Sequence, residues 1–207
     1  MGFYAKHILP RFINCACGAG PIMKQRQKVV PAARGRVLEI GIGTGLNLPF
    51  YNASQVDTVI GLDPCEESWL LAAERVASVE FDVNFIGLPD GEIPLEDHSV
   101  DTILITYALC TIPDPVAALQ GMSRVLRPGG ELIFCEHCKA PDPKVHKWQN
   151  RLDGVWGKLA GGCHLNRDIP EILDAGGFSI HGLEKMYLPN TPRFASYNFW
   201  GTATPTG

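Results

Sequence analysis

The chain lacks a long apolar run. None of its hydrophobic stretches approaches the roughly 20 residues that cross a bilayer as a helix. It also lacks a basic excess. Lys and Arg total 18 against 22 Asp and Glu, a net charge of −4, and no basic stripe offers the footprint of a nucleic-acid binder. A secretory signal is missing as well, because Lys6, His7 and Arg11 interrupt the N-terminal stretch MGFYAKHILPRFINCACGAG. Lys6 also stands where a myristoylation signal needs Ser or Thr. Internal repeats and low-complexity linkers are absent. The seven cysteines follow no disulfide-framework spacing and, without an export signal, read as free thiols in a reducing compartment. The expectation is a soluble cytoplasmic protein with no nucleic-acid partner and no transmembrane segment.

What is there is core-forming material. A chain of 207 residues that is 45% hydrophobic can bury one substantial core. Residues 3–30 read as helical with a break around Cys17, Gly18 and Gly20. Strands are expected at Arg36–Ile40, Thr58–Leu62, Val83–Gly87, Val100–Thr106 and Glu131–Glu136. Between them come a short helix at Leu46–Tyr51, a helix at Glu66–Val79 with Trp69, Leu70, Ala73 and Val76 on one face, and a helix at Asp114–Leu126. The alternation implies a parallel sheet covered on both faces. Further helices are expected at Lys144–Lys158 and Arg167–Ala175, the latter capped by Asn166 and stopped by Gly176 and Gly177. The tail alternates like two strands, Phe178–Leu188 and Phe194–Ala203, joined around Pro189–Pro192.

The stretch VLEIGIGTGLNLPFY carries the chemistry. Gly41, Gly43 and Gly45 form GxGxG between a strand and a helix, where glycine lets the backbone turn sharply and approach a ligand. Asp63 ends the next strand about 20 residues on, the place for an acceptor of ribose hydroxyls. A nicotinamide dinucleotide and S-adenosylmethionine both suit this pattern, and Glu39 separates them. A carboxylate beside the turn repels a pyrophosphate, whereas it suits the α-ammonium and sulfonium of S-adenosylmethionine. Left unpaired in a strand, the same carboxylate would be costly to bury. The adenine is expected near GLPDGEIP, with Leu88 covering the ring and Asp90 accepting from its amino group.

VLEIGIGTG, GLDP, PLEDHSVDTILITYALCTI and RVLRPGGELIFCEH together resemble the class I S-adenosylmethionine-dependent methyltransferases. ALCTI, FCEH and GGCHLNRDI resemble the thiol S-methyltransferase-like branch and its bacterial relatives. The resemblance implies an α/β fold, a Rossmann-like seven-stranded mostly parallel sheet with helices on both faces and an antiparallel C-terminal strand. It implies S-adenosyl-L-methionine as cofactor, with Glu39, Gly41, Gly43, Gly45 and Asp63 matching the family's motifs. Thr106 and Tyr107 then lie where the fourth strand ends beneath the methyl group. Pro89 and Asp90 stand where the family usually has an acid–alanine pair, and the apolar anchor of its animal members has no counterpart here. The expected organisation is one methyltransferase domain, 1–207. It divides into an N-terminal helical cap (1–34), a cofactor-binding core (35–140), a helical insert (141–176) and a C-terminal hairpin (177–207).

The acceptor is expected to be a small molecule, best matched by a thiol, which needs only orientation and a lowered pKa to attack a sulfonium methyl. N-, O- or C-methylation of a lipid or quinone-like molecule is the alternative, and a non-catalytic cofactor-binding module the reading from another class. A hydroxyl or phenol acceptor would need a general base. Candidate catalytic residues are Tyr107, Cys110 at the start of a helix, His137 directly after the fifth strand, and His164 in an insert that Gly161 and Gly162 bring close to the pocket. Glu136 can anchor the loop. Cys135, His137, Cys138, Cys163 and His164 are zinc-type ligands, but they do not form two short-spaced pairs, so no metal is expected.

Overall fold

The computed structural model describes Tyr4, residues 8–87 and residues 92–206. Seven strands form one sheet: β1 (Gly35–Ile40), β2 (Val56–Asp63), β3 (Asp82–Gly87), β4 (Val100–Thr106), β5 (Leu126–His137), β6 (Phe178–Tyr187) and β7 (Tyr197–Pro205). Their order is β3-β2-β1-β4-β5-β7-β6. The first five strands pair in parallel, while β7 runs antiparallel to both β5 and β6. Alternate residues of the central strands feed two cores. Leu38, Ile103 and Leu132 join one, and Val37, Leu104 and Ile133 the other. Such two-sided burial explains why these strands read as continuous apolar runs rather than as alternation.

Among the described residues, eight α-helices surround the sheet: α1 (Leu9–Cys17), α2 (Gly20–Val29), α3 (Glu66–Leu70), α4 (Ala73–Ala77), α5 (Pro115–Val125), α6 (Pro143–Leu159), α7 (Ile169–Ala175) and α8 (Arg193–Ser196). No helix among the described residues is long and apolar enough to cross a membrane. The α1–α2 break falls at Gly18, as read from the sequence. α5 begins behind Asp114, whose side chain accepts from the Ala117 N–H at 3.0 Å.

Four local expectations are corrected. The helix over Glu66–Val79 is two short helices, because Leu71 and Ala72 donate to Ser68 and Trp69 in tighter i→i+3 bonds. That kink tucks Ala72 beneath the glycine loop and leaves Leu70 74% exposed, so Leu70 does not share the buried face. Over Leu46–Tyr51 only a single 3₁₀ turn forms, Leu48–Phe50. The cap of α7 is Asp168, not Asn166, because Pro170 suits the first turn. Asn166 donates instead to Asn150 Oδ1 at 2.8 Å. Finally, residues 193–196 form a helical turn, and β7 starts after it.

Candidate functional site

The C-terminal ends of β1, β2, β4 and β5 converge with α1 and α2. Gly41, Gly43 and Gly45 all have positive φ, between 50° and 72°. Their roles differ sterically. A Cβ on Gly41 would stand 2.7 Å from Ala108 Cβ, and one on Gly45 2.9 Å from Leu48 Cδ1, so both glycines are required by packing. A Cβ on Gly43 would meet nothing nearer than Asp63 Oδ2 at 3.8 Å, which leaves its backbone approachable. Asp63 holds this turn: Oδ2 accepts from Gly43 N at 2.9 Å and Oδ1 from Cys65 N at 2.8 Å. Burial raises the Asp63 pKa, against the opposing pull of those two N–H groups.

Glu39 is fully buried. Its Oε1 accepts from Asn47 Nδ2 at 2.9 Å and its Oε2 from the Tyr51 hydroxyl at 2.7 Å. Burial pushes its pKa up to about 7, although both hydrogen bonds favour the ionised form. Beyond Asn47 stands Arg26, which sequence reasoning missed. Its Nη1 donates to Asn47 Oδ1 at 2.8 Å and Thr106 Oγ1 at 2.6 Å. The guanidinium lies 5.2 Å from the Tyr107 ring centroid. Buried Nε has no hydrogen-bond partner among the described residues. The only sequence signal was an arginine in an otherwise amphipathic N-terminal helix, which reads as surface.

A second group forms beside the first. Cys110 sits on a hydrogen-bonded turn after β4, not at the start of a helix, since α5 begins only at Pro115. Glu136 Oε1 anchors that turn, accepting from Ala108 N at 2.7 Å and Leu109 N at 3.0 Å. Burial pushes the Glu136 pKa to about 7, and its Oε2 has no hydrogen-bond partner among the described residues. His137 Nε2 lies 3.1 Å from Cys163 Sγ, which also accepts from Trp156 Nε1 at 3.3 Å. The sulfurs of Cys110 and Cys163 lie within 4.8 Å of each other, a proximity that lowers the Cys163 pKa and raises that of Cys110. Burial lowers the His137 pKa, but the Cys163 sulfur outweighs it and the net shift is upward. The two groups adjoin at Tyr107, whose carbonyl accepts from Cys110 Sγ at 3.6 Å and whose ring faces Arg26.

The remaining anticipated residues fall as follows. Thr106 joins the Arg26 network. Tyr107 has φ 55° and donates to Asn198 Oδ1 at 2.6 Å. His164 is not brought into the cysteine group: its backbone N–H donates to Cys110 O at 2.9 Å, while its imidazole pairs with Asp153 at 2.8 Å. Cys138 points elsewhere, accepting from Ile169 N at 3.4 Å, and Cys135 lies against the Tyr107 hydroxyl. Leu88 and Asp90 lie outside the described residues. A cleft of about 300 Å³ lined by Arg11, Asn14, Leu71, Glu74 and Arg75 borders the glycine loop from outside and contains none of these side chains.

Residues 38–134 match the model of a methyltransferase domain family. The chain is 32% identical over 152 residues to the rat (Rattus norvegicus) thiol S-methyltransferase TMT1B, covering 72% of this chain and 62% of that protein. It is 30% identical over 175 residues to human (Homo sapiens) thiol S-methyltransferase TMT1A, covering 84% and 72% respectively. Its fold is similar to an S-adenosylmethionine-dependent methyltransferase from Mesorhizobium loti, with a TM-score of 0.65, 20% identity and coverage of 90% and 98%. Strand order, glycine turn and these likenesses agree: the chain belongs to the class I S-adenosylmethionine-dependent methyltransferases, enzymes whose cofactor is S-adenosylmethionine.

Proposed function

We propose that this chain methylates a small thiol, acting in the cytoplasm without a nucleic-acid partner. The observation that carries the cofactor part is the pairing of Arg26 and Glu39 across Asn47. One buried cation with a spare N–H and one buried carboxylate with spare lone pairs complement a zwitterionic α-amino acid, the end that S-adenosylmethionine presents. In this reading Glu39 takes the α-ammonium and Arg26 Nε the α-carboxylate. Asp63 accepts from the ribose hydroxyls, and Gly43 admits the ligand to the backbone. Thr106 and Tyr107, at the end of β4, would border the methyl group of the bound cofactor.

When bound, the cofactor supplies an electrophilic methyl group: the acceptor–carbon bond forms as the carbon–sulfonium bond breaks, and the electron pair leaves on S-adenosylhomocysteine. The chain's own contribution is positioning, which supplies much of the rate in such a displacement. The thiol preference is supported by the names of the two mammalian relatives, both thiol S-methyltransferases, and by the adjoining cysteine–histidine group. Free cysteines throughout the chain suit a reducing compartment, and the net charge of −4 suits a partner other than nucleic acid. The test is S-adenosylhomocysteine formation, by mass spectrometry, with panels of small thiols, amines and phenols. Thiol-selective turnover supports the reading; turnover with amines or phenols alone rejects it.

A further inference from the structure

Cys110 Sγ, His137 Nε2 and Cys163 Sγ lie within 4.8 Å of one another. They come from three separate parts of the chain: the turn after β4, the end of β5, and the loop between α6 and α7. Hydrogen bonds to the backbone, rather than the three side chains themselves, hold these parts together. Glu136 fixes the turn, and Arg167 Nη1 donates to the carbonyls of Leu109 and, at 2.7 Å, Ile112. The loop is tied to the turn by the bond from His164 N to Cys110 O. Gly161 and Gly162, with φ of 65° and 93°, bend it close enough, such that a Cβ on Gly162 would stand 3.7 Å from Thr111 Cγ2. In a tetrahedral zinc site the ligand atoms stand about 3.5 to 3.8 Å apart, given zinc–sulfur and zinc–nitrogen bonds of about 2.3 and 2.0 Å. The three atoms need only small side-chain adjustments to meet that spacing.

We propose that Cys110, His137 and Cys163 bind one zinc ion whose fourth position receives the sulfur of the acceptor. This deepens the thiol reading above and rests on it. Two thiolates and an imidazole are a borderline-soft set that suits zinc, and three protein ligands leave the open position of a catalytic site rather than the closed shell of a structural one. A thiol entering that position loses its proton to solvent as the sulfur–zinc bond forms, because coordination deprotonates a thiol outright. The metal thereby does the work for which a phenol or hydroxyl acceptor would need a general base. The site lies next to the cofactor groups: Cys110 Sγ donates to the Tyr107 carbonyl at 3.6 Å, and the Arg26 guanidinium lies 5.2 Å from the Tyr107 ring centroid. Sequence spacing argued against a metal because Cys135, His137, Cys138, Cys163 and His164 do not form two short-spaced pairs, and Cys110, 27 residues before His137, did not stand out as a ligand.

The experiment is metal analysis of untagged protein followed by Co²⁺ substitution. One zinc per chain is expected. With Co²⁺, a thiolate-to-cobalt charge-transfer band and the intense visible bands of a tetrahedral ion should appear. Cys110→Ser and Cys163→Ser should each weaken Co²⁺ binding by at least about 100-fold, while Cys138→Ser, a buried cysteine outside the group, should not. Adding 2-mercaptoethanol should shift the visible bands as its sulfur enters the fourth position. Folded wild-type protein that gives no charge-transfer band overturns the site, as does a band that survives in the Cys110→Ser/Cys163→Ser double variant. Bound Co²⁺ that ignores 2-mercaptoethanol overturns the open position. Methylation of amines or phenols alone, by protein whose Co²⁺ still answers to thiols, overturns the thiol reading and leaves the metal site standing.

Discussion

Arg26 and Thr106 are 80 residues apart in the chain, yet Arg26 Nη1 donates to Thr106 Oγ1 at 2.6 Å. The bond sews α2 to the end of β4 and holds a guanidinium inside the site with Nε unused. Arg26→Ala should weaken cofactor binding about 10- to 100-fold, the size of one lost charge-assisted contact of roughly 1.5–3 kcal/mol. Arg26→Lys should recover only part, since a lysine lacks the planar fork that serves Asn47, Thr106 and a carboxylate together. Calorimetric titration with S-adenosylmethionine checks both. Unchanged affinity in Arg26→Ala would remove Arg26 from the site.

Glu39 gives a pH signature with a definite sign. Its pKa is raised from 4.5 to about 7, so between those values the folded protein holds a proton that the unfolded chain has lost. Stability contributed through Glu39 therefore falls as pH rises through that window, by an amount on the order of 3 kcal/mol, and stays low above it. Glu39→Gln should flatten that part of the slope in urea unfolding between about pH 5 and about pH 8. A residual slope from Glu136, also raised to about 7, should persist. Cofactor binding has the opposite trend, because the α-ammonium prefers the ionised carboxylate. Affinity should rise as pH climbs through about 7, and the rise should vanish in Glu39→Gln.

The glycines of the turn should separate by phenotype. Gly41→Ala places a methyl 2.7 Å from Ala108 Cβ at φ 71° and should destabilise the fold by about 2 kcal/mol or more. Gly43→Ala makes only ordinary contacts, the nearest 3.8 Å from Asp63 Oδ2, and should cost about 1–2 kcal/mol through its positive φ. It should nevertheless lose more cofactor affinity than its stability loss accounts for. Thermal melts and calorimetry on the two variants decide this, and equal affinity in Gly43→Ala and wild type would contradict close backbone approach there.

His137 and His164 should also part company. His137→Ala removes a side chain that faces Cys163 at 3.1 Å and should slow turnover at least about 100-fold with cofactor affinity kept. The His164 imidazole faces Asp153 instead and is partly exposed, so His164→Ala should retain turnover and lose no more than about 1 kcal/mol of stability. Steady-state rates beside cofactor titrations read out both. Wild-type turnover in His137→Ala would reduce it to a loop residue.

The sequence was most informative where a short stretch sets local geometry. GxGxG between a strand and a turn, Asp63 at the end of the next strand, and apolar runs for two-sided burial all announce themselves within a few residues. Boundaries set by tertiary contact did not. Helix periodicity over 66–79 is continuous, but the pull of Ala72 toward Gly45 and Leu48 breaks the helix. Arg26 was illegible for the same kind of reason, because its partners Asn47 and Thr106 come from other elements. So was the group of Cys110, His137 and Cys163, which no window of sequence contains. His164, adjacent to Cys163, looked equivalent to it. Only the bend of the backbone sends one side chain inward and the other toward α6.

The central claim is methyl transfer from S-adenosylmethionine to a thiol. The most direct measurement supplies cofactor carrying a deuterated methyl group and an equimolar mixture of a small thiol, an amine and a phenol, with products resolved by mass spectrometry. The account predicts a deuteromethyl thioether and a matching amount of S-adenosylhomocysteine, with no labelled amine or phenol. Label appearing on nitrogen or oxygen while the thiol stays unmodified would contradict it.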